Sequence, residues 1–173
     1  MHLHRPHSPH QKYPLLPPGP VHSKSDSPAF RRWTVEDKDY WEQCKKEIEN
    51  LPANIQVEYL GARRNDELME LLRQHHLFVL PTTGENFGHS IFEALVAGRP
   101  VLISDQTPWL NLTAGKIGWD LPLANPAAFT RVVEDAAAWN QEEYDLWAKA
   151  AWAYARDFIR NPELQRQYID LFR

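Results

Sequence analysis

Two glutamates, a glycine and a histidine lie close together near the middle of this sequence. Glu85 and Glu93 have seven residues between them, and the turn that follows Glu85 is Asn86-Phe87-Gly88-His89. Gly88 lacks a side chain, so a ligand could approach its backbone closely. A helix that begins at this turn would present unpaired N–H groups and the positive end of its dipole, and together these bind phosphate.

The two carboxylates suggest what kind of phosphate compound would bind there. Carboxylates on either side of a bound phosphate accept hydrogen bonds from hydroxyl groups. This arrangement suggests a nucleoside diphosphate joined to a sugar, with Glu93 toward the ribose and Glu85 toward the hexose. A simpler interpretation is that both acids only complement the helix dipole. Spacing alone favours the simpler interpretation, because paired glutamates near a helix start are common.

Two apolar strands and a helix are needed to position this turn. Leu77–Leu80 is an apolar run closed by Pro81, which is typical of a strand covered on both faces in a parallel sheet. Val101–Ile103 is the second strand. Between the strands, apolar residues at helical spacing form one face of a helix: Phe92, Leu95 and Val96.

The connection between these strands places the turn at the edge of the sheet where ligands bind. Gly98 and Pro100 end the helix, so the segment is one βαβ unit. A right-handed crossover puts Thr82–His89 at the carboxyl end of the sheet, which is the ligand-binding edge of open α/β folds. The loop Gln106–Trp109 leaves the second strand at the same rim.

The remaining segments predict further helices and two strands. We expect helices from Thr34 or Asp37 to Asn50, from Asn65 or Asp66 to near His76, from Asn125 to Trp139, from 141 to 160, and from Pro162 onward. We expect a strand over 55–60, and a loop over 115–119 followed by a short strand over 121–123. Aromatic residues at helical spacing near the end of the chain predict core packing, with a partner surface as the alternative: Tyr144, Trp147, Tyr154 and Phe158.

Composition limits the classes of function. The chain has 173 residues, a net charge of −4 and one cysteine. This length allows one domain with a sizeable core, the charge disfavours a nucleic-acid partner, and no apolar run approaches the length of a bilayer span. Cys44 excludes an internal disulfide and fits a reducing compartment, so we expect a cytoplasmic protein.

The first 33 residues differ from the rest. They hold seven of the 14 prolines and five of the eight histidines, with a net charge of +4 against −8 for the remainder. Because they show no hydrophobic periodicity, we expect a disordered tail, with 34–173 as the domain. Histidines scattered in such a tail do not form a metal site. A natural tail and a misplaced start of the gene are both consistent with this change of composition.

The central stretch as a whole resembles the donor-binding domain of the retaining glycosyltransferases of family four (group 1), which have the GT-B fold. The matching residues are Pro81, Glu85, Phe87-Gly88, Glu93-Ala94-Leu95 and Gly98-Arg99-Pro100-Val101. The resemblance extends from about residue 36 to 172. It implies an α/β fold with a Rossmann-like parallel sheet flanked by helices, equivalent to most of the C-terminal half of such an enzyme.

The resemblance also implies roles for individual residues. Glu85 would contact the donor sugar and stabilise the reacting centre, and Glu93 would bind the ribose. The backbone of Asn86, Phe87, Gly88 and His89 would hold the diphosphate, with the His89 side chain as a further contact or a simple helix-start residue. The co-substrate would be a nucleotide-diphosphate sugar, with no cofactor and no metal.

Three departures from the family pattern leave a second hypothesis open. The sequence has no match to the family's Arg and Lys segment or to its amino-terminal acceptor domain, so a working enzyme would need this half from another chain, or the sequence is a fragment of a longer one. The usual Gly-Gly-x-x-Glu loop is replaced by Gln106-Thr107-Pro108-Trp109. Arg63 and Arg64 lie near the expected rim. The alternative is therefore a truncated, non-catalytic nucleotide-binding remnant or interaction module.

Overall fold

Three parallel strands form the sheet at the centre of the fold. The computed structural model of the protein describes residues 38–53, 55–61 and 63–162. Within them, β1 is Phe78–Leu80, β2 is Val101–Ser104 and β3 is Gly118–Leu121. The sheet order is β1-β2-β3, and both pairings are parallel, with Phe78 opposite Val101 and Val101 opposite Gly118. The predicted βαβ unit is confirmed.

Five α-helices accompany the strands in the described part of the chain. They are α1 (Lys38–Glu49), α2 (Asn65–Gln74), α3 (His89–Val96), α4 (Pro126–Ala138) and α5 (Gln141–Arg160). A short 3-10 helix, Thr113–Gly115, precedes β3. Asn125 caps α4 by accepting from the Ala128 N–H at 3.3 Å, as its sequence predicts.

The sheet separates two layers of helices. All four residues of β2 are buried, and they alternate between the two faces. Val101 and Ile103 contribute to a core with residues of α2, α3 and α5. Leu102 points the other way and packs with Phe129 and Val132 of α4. The architecture is therefore an α/β fold with a Rossmann-like parallel sheet and helices on both faces, as expected.

Gly98 ends α3 in the way that the sequence predicts. Its φ is +69°, and its N–H donates to the Leu95 carbonyl at 2.9 Å. The buried face of the helix is shifted from the prediction, because its buried residues are Ile91, Ala94 and Leu95. Phe92 and Val96 are partly buried and pack at the edge of the same core.

Several predicted details of the strands are wrong. Residues 55–60 form no strand, and Val57 and Tyr59 are exposed. The third strand begins at Gly118, inside the segment predicted as a loop, rather than at Leu121. β1 is not covered on both faces, since Val79 is 41% exposed. Val79 pairs with Leu102 on the α4 face, where Phe129 and Val132 pack around Leu102 instead.

The start of α2 also differs from the prediction. Its N-cap is Arg64, one residue before the two predicted capping residues. The Glu67 carboxylate accepts from the Arg64 N–H at 3.1 Å, so the helix itself supplies the cap. The caps predicted at Thr34 or Asp37, the tail over 1–33, and all of the helix predicted from Pro162 onward except Pro162 itself lie outside the described ranges.

The aromatic residues of α5 pack on the domain itself. Tyr154 and Phe158 lie against the core that contains α3, and Trp147 is buried in a stack with Trp119 and Trp139. The predicted core packing is confirmed for these three residues of α5. The exposed aromatic side chain of this helix is Trp152, at 50%. No helix in the described residues is long and apolar enough to cross a membrane.

Candidate functional site

The loop after β1, residues Thr82–His89, is held at its base by two hydroxyl groups. Thr82 is buried, and its Oγ1 donates to the Gly84 carbonyl at 2.9 Å and accepts from the Gly84 N–H at 3.3 Å. Ser104, the fully buried last residue of β2, donates from Oγ to the Thr82 carbonyl. The loop therefore starts from a fixed position at the carboxyl end of the sheet.

Gly88 makes the turn from this loop into α3. Its φ of +74° lies in the left-handed region, which favours glycine. A Cβ at this position would lie 2.7 Å from Ile91 Cδ1 and 3.3 Å from Trp109 Nε1. Because Gly88 is the N-cap and has no side chain, it supplies no side-chain cap to the first turn of α3. The positive end of this helix dipole faces the loop.

The loop after β2 lies at the same rim and contacts the first loop directly. Trp109 is 4% exposed, and its indole Nε1–H donates to the Phe87 carbonyl. The Trp109 N–H donates to the Thr107 hydroxyl at 3.3 Å. Asp120 on β3 accepts from two backbone N–H groups further along this loop, those of Asn111 and Leu112, both at 3.0 Å. The prediction that both loops share one rim is confirmed.

A group of aromatic rings packs around Trp109, beneath the turn at Gly88. The Trp109 ring stacks on Phe92 with centroids 5.9 Å apart, and it contacts Phe158 at 5.2 Å and Tyr154 at 6.2 Å. The Phe87 ring joins this group at 5.4 Å from Trp109. Burial of the Tyr154 side chain in this group raises the pKa of its hydroxyl.

Glu85 and Glu93 precede and follow Gly88, and both are partly buried. Glu85 lies in the loop, and Glu93 lies in the second turn of α3, as predicted. Neither carboxylate forms a hydrogen bond or a salt bridge to another side chain or N–H group within the described part of the chain. Their acceptor oxygens thus remain available to hydroxyl groups of a ligand.

The other predicted binding residues take different positions. Asn86 is exposed, and Phe87 is partly buried with its carbonyl bound to Trp109. His89 is the first residue of α3, and its ring lies 4.9 Å from that of Phe87. The structure therefore brings Phe87, Gly88 and His89 together at one turn. No cluster of three metal-ligating side chains occurs among the described residues.

Sequence reasoning missed the residues that hold the turn in place. Ser104, Thr107 and Trp109 all belong to the end of β2 and the loop after it, and each forms a hydrogen bond at the rim. The available signal was positional, since parallel strands end at the same edge of a sheet. A buried hydroxyl and a tryptophan directly after such a strand are candidates for holding the neighbouring loop.

Two comparisons with known proteins bear on this rim. Residues 33–168 match the family described as "Glycosyl transferases group 1". A segment of 49 residues is 43% identical to N,N'-diacetylbacillosaminyl-diphospho-undecaprenol alpha-1,3-N-acetylgalactosaminyltransferase of Campylobacter jejuni. That segment covers 28% of this chain and 12% of the relative, so the match spans a small part of the relative's length. Because the family match covers most of the chain, the protein belongs to the group 1 glycosyl transferases.

Proposed function

We propose that this chain binds a nucleotide-diphosphate sugar at residues 85–93 and takes part in transfer of the sugar to an acceptor with retention of configuration. The observation that carries this proposal is the turn at Gly88. It combines a helix start without a side-chain cap and two partly buried carboxylates that have no hydrogen-bond or ion-pair partner among the described residues. A diphosphate flanked by hydroxyl-bearing groups complements both features.

In this proposal each part of the turn has one task. The backbone at Phe87, Gly88 and His89 holds the diphosphate, because N–H groups and the helix dipole favour negative charge. Glu93 accepts hydrogen bonds from the ribose, and Glu85 accepts them from the transferred sugar and stabilises the positive charge that develops at its reacting carbon. The nucleotide sugar is a co-substrate, and the proposal includes no cofactor or metal.

The family membership and the geometry support this proposal in different ways. Membership gives the reaction class, glycosyl transfer. The geometry supports the assignment of the donor to this rim, since Thr82, Ser104 and Trp109 hold the turn through hydrogen bonds within the chain. A turn that is already ordered loses little conformational freedom on binding.

A panel of nucleotide sugars tests the reaction. The purified chain is incubated with UDP- and GDP-linked sugars, and both transfer and hydrolysis are followed. N-acetylgalactosamine is included because the Campylobacter relative is named for its transfer. Turnover with any donor is the expected result, and Glu85→Gln should lower it about 100-fold. Glu134→Gln, at a partly buried position on α4, should retain wild-type turnover.

The second candidate function is nucleotide binding without transfer. The observation that favours it is the loop after β2, where Gln106-Thr107-Pro108-Trp109 replaces the Gly-Gly-x-x-Glu pattern of many related enzymes and supplies no carboxylate. A chain that binds UDP or GDP but turns over no donor in the panel would support this candidate and contradict the catalytic proposal.

A further inference from the structure

We propose that Trp109 is a positioning residue that orients the Gly88 N–H toward the donor diphosphate. This inference rests on the proposed function of the rim and adds a residue to it. Trp109 lies in the loop after β2, where the sequence departs from the Gly-Gly-x-x-Glu pattern of related enzymes. The role proposed for Trp109 therefore rests on the contacts that it makes in this chain and not on the family pattern.

A hydrogen bond connects Trp109 to the turn at Phe87. The indole Nε1–H donates to the Phe87 carbonyl, and Trp109 is only 4% exposed. That carbonyl therefore points toward the buried indole. The peptide bond that joins Phe87 to Gly88 is trans, as are the others in the described chain. In a trans peptide the C=O and the N–H point in opposite directions.

The direction of the Gly88 N–H follows from this geometry. Because the Phe87 carbonyl faces the indole, the Gly88 N–H faces away from it and away from the aromatic group beneath the turn. No backbone acceptor within the described residues takes this N–H. An oriented N–H beside the positive end of α3 is suited to bind a phosphate oxygen.

Trp109 is itself rigid enough to impose this orientation. Its ring packs on Phe92 and Phe158, and its backbone N–H donates to the buried Thr107 hydroxyl at 3.3 Å. The loop beyond it is fixed by Asp120, which accepts from two of its backbone N–H groups. The indole also lies 3.3 Å from the position of a Gly88 Cβ, so it contacts the turn closely.

The test compares Trp109→Phe with Trp152→Phe. The first change keeps an aromatic ring and removes the N–H donor, and the second alters an exposed tryptophan of α5. Calorimetry measures Kd for UDP and GDP, and for uridine and guanosine as ligands without the diphosphate. Trp109→Phe should weaken the nucleoside diphosphate about tenfold and leave the nucleoside unchanged, while Trp152→Phe should match the wild type.

Two results would overturn the inference while the proposed function stands. One is a Trp109→Phe chain with wild-type affinity for the diphosphate. The other is an equal loss for the nucleoside, which would mean that only packing was damaged. A wild-type chain that binds neither UDP nor GDP would overturn both proposals.

A second measurement needs no variant. Amide NMR of the wild-type chain follows Gly88 and Gly84 during titration with the nucleotide that it binds. Gly88 should shift strongly on saturation and Gly84 weakly, because only Gly88 has its N–H directed by Trp109. Binding that leaves the Gly88 amide unshifted would overturn the inference.

Discussion

The two ends of α3 use their polar groups in opposite ways. At the carboxyl end, Arg99 donates from Nε to the Ala97 carbonyl at 3.1 Å and from Nη1 to the His75 carbonyl at 2.8 Å and to the Tyr144 hydroxyl. At the amino end, Gly88 provides no cap. Arg99 thus satisfies acceptors of the chain at the carboxyl end, whereas the amino end has no side-chain cap among the described residues.

This difference separates a structural end from a binding end. Arg99 ties together the ends of α2 and α3 and the start of α5, so its role is explained without a ligand. Burial raises the pKa of the Tyr144 hydroxyl, and the positive charge of Arg99 works against that rise. Glu85 and Glu93 have no such explanation, which is why the proposed ligand is placed at the amino end.

The largest expected effect comes from closing the amino end with a side chain. Gly88→Ala should lower the free energy of unfolding by about 2–4 kcal/mol, because it combines a left-handed φ with a Cβ 2.7 Å from Ile91. Urea unfolding measures the change. Gly84→Ala is the matched control, since its Cβ would meet nothing within 4 Å. Equal stability of the two variants would contradict the assignment of Gly88 as the constrained residue.

A smaller effect is expected at the carboxyl end. Arg99→Met should lower the free energy of unfolding by about 2 kcal/mol, because three acceptors lose their donor. Nucleotide affinity should stay at the wild-type value. Arg73→Met, which removes an exposed pair with Glu70 at 3.8 Å, should cost no more than about 0.5 kcal/mol. A loss of nucleotide affinity in Arg99→Met would contradict the assignment of a purely structural role to the carboxyl end of α3.

At the amino end of α3 we expect the opposite result, a loss of nucleotide affinity with little loss of stability. Glu93→Ala should weaken UDP or GDP binding about tenfold and change the free energy of unfolding little, since the carboxylate has no protein partner among the described residues. Calorimetry and urea unfolding of the same preparation measure both quantities. Unchanged nucleotide affinity would contradict the assignment of Glu93 to the ribose.

The smallest effect is expected on the outer surface of α5. Trp152 is 50% exposed, and its ring lies 5.1 Å from the Arg156 guanidinium carbon. Trp152→Ala should lower the free energy of unfolding by about 1 kcal/mol or less and leave nucleotide binding unchanged. A large loss of binding would show that the site extends beyond the rim.

The sequence predicted the parts of the fold that depend on local pattern. The Leu77–Leu80 run, the glycine at position 98 and the Asn125 cap each carry a local signal, and the corresponding elements form as expected. The run over 55–60 carries an equally clear alternation but forms no strand in the structure. Alternation within a run does not by itself make a strand, because strand formation also depends on packing against neighbours that the run does not contain.

The sequence predicted the part of the site whose residues are adjacent in the chain. Adjacent residues such as Phe87, Gly88 and His89 stay together wherever the chain goes. Trp109 contributes through a hydrogen bond to Phe87, which lies 22 residues earlier in the chain. The sequence does not show that the loop after β2 lies this close to the loop after β1. The exposure of Val79 likewise depends on which residues of the sheet α4 covers, and the sequence of β1 alone does not predict it.

Calorimetric titration of the wild-type chain with UDP and GDP tests the central claim most directly. The claim is that the turn at Gly88 binds a nucleoside diphosphate. It predicts saturable binding of at least one of the two nucleotides, with one ligand per chain and Kd below about 1 mM. Absence of saturable binding for both nucleotides, in a chain shown to be folded, would contradict it.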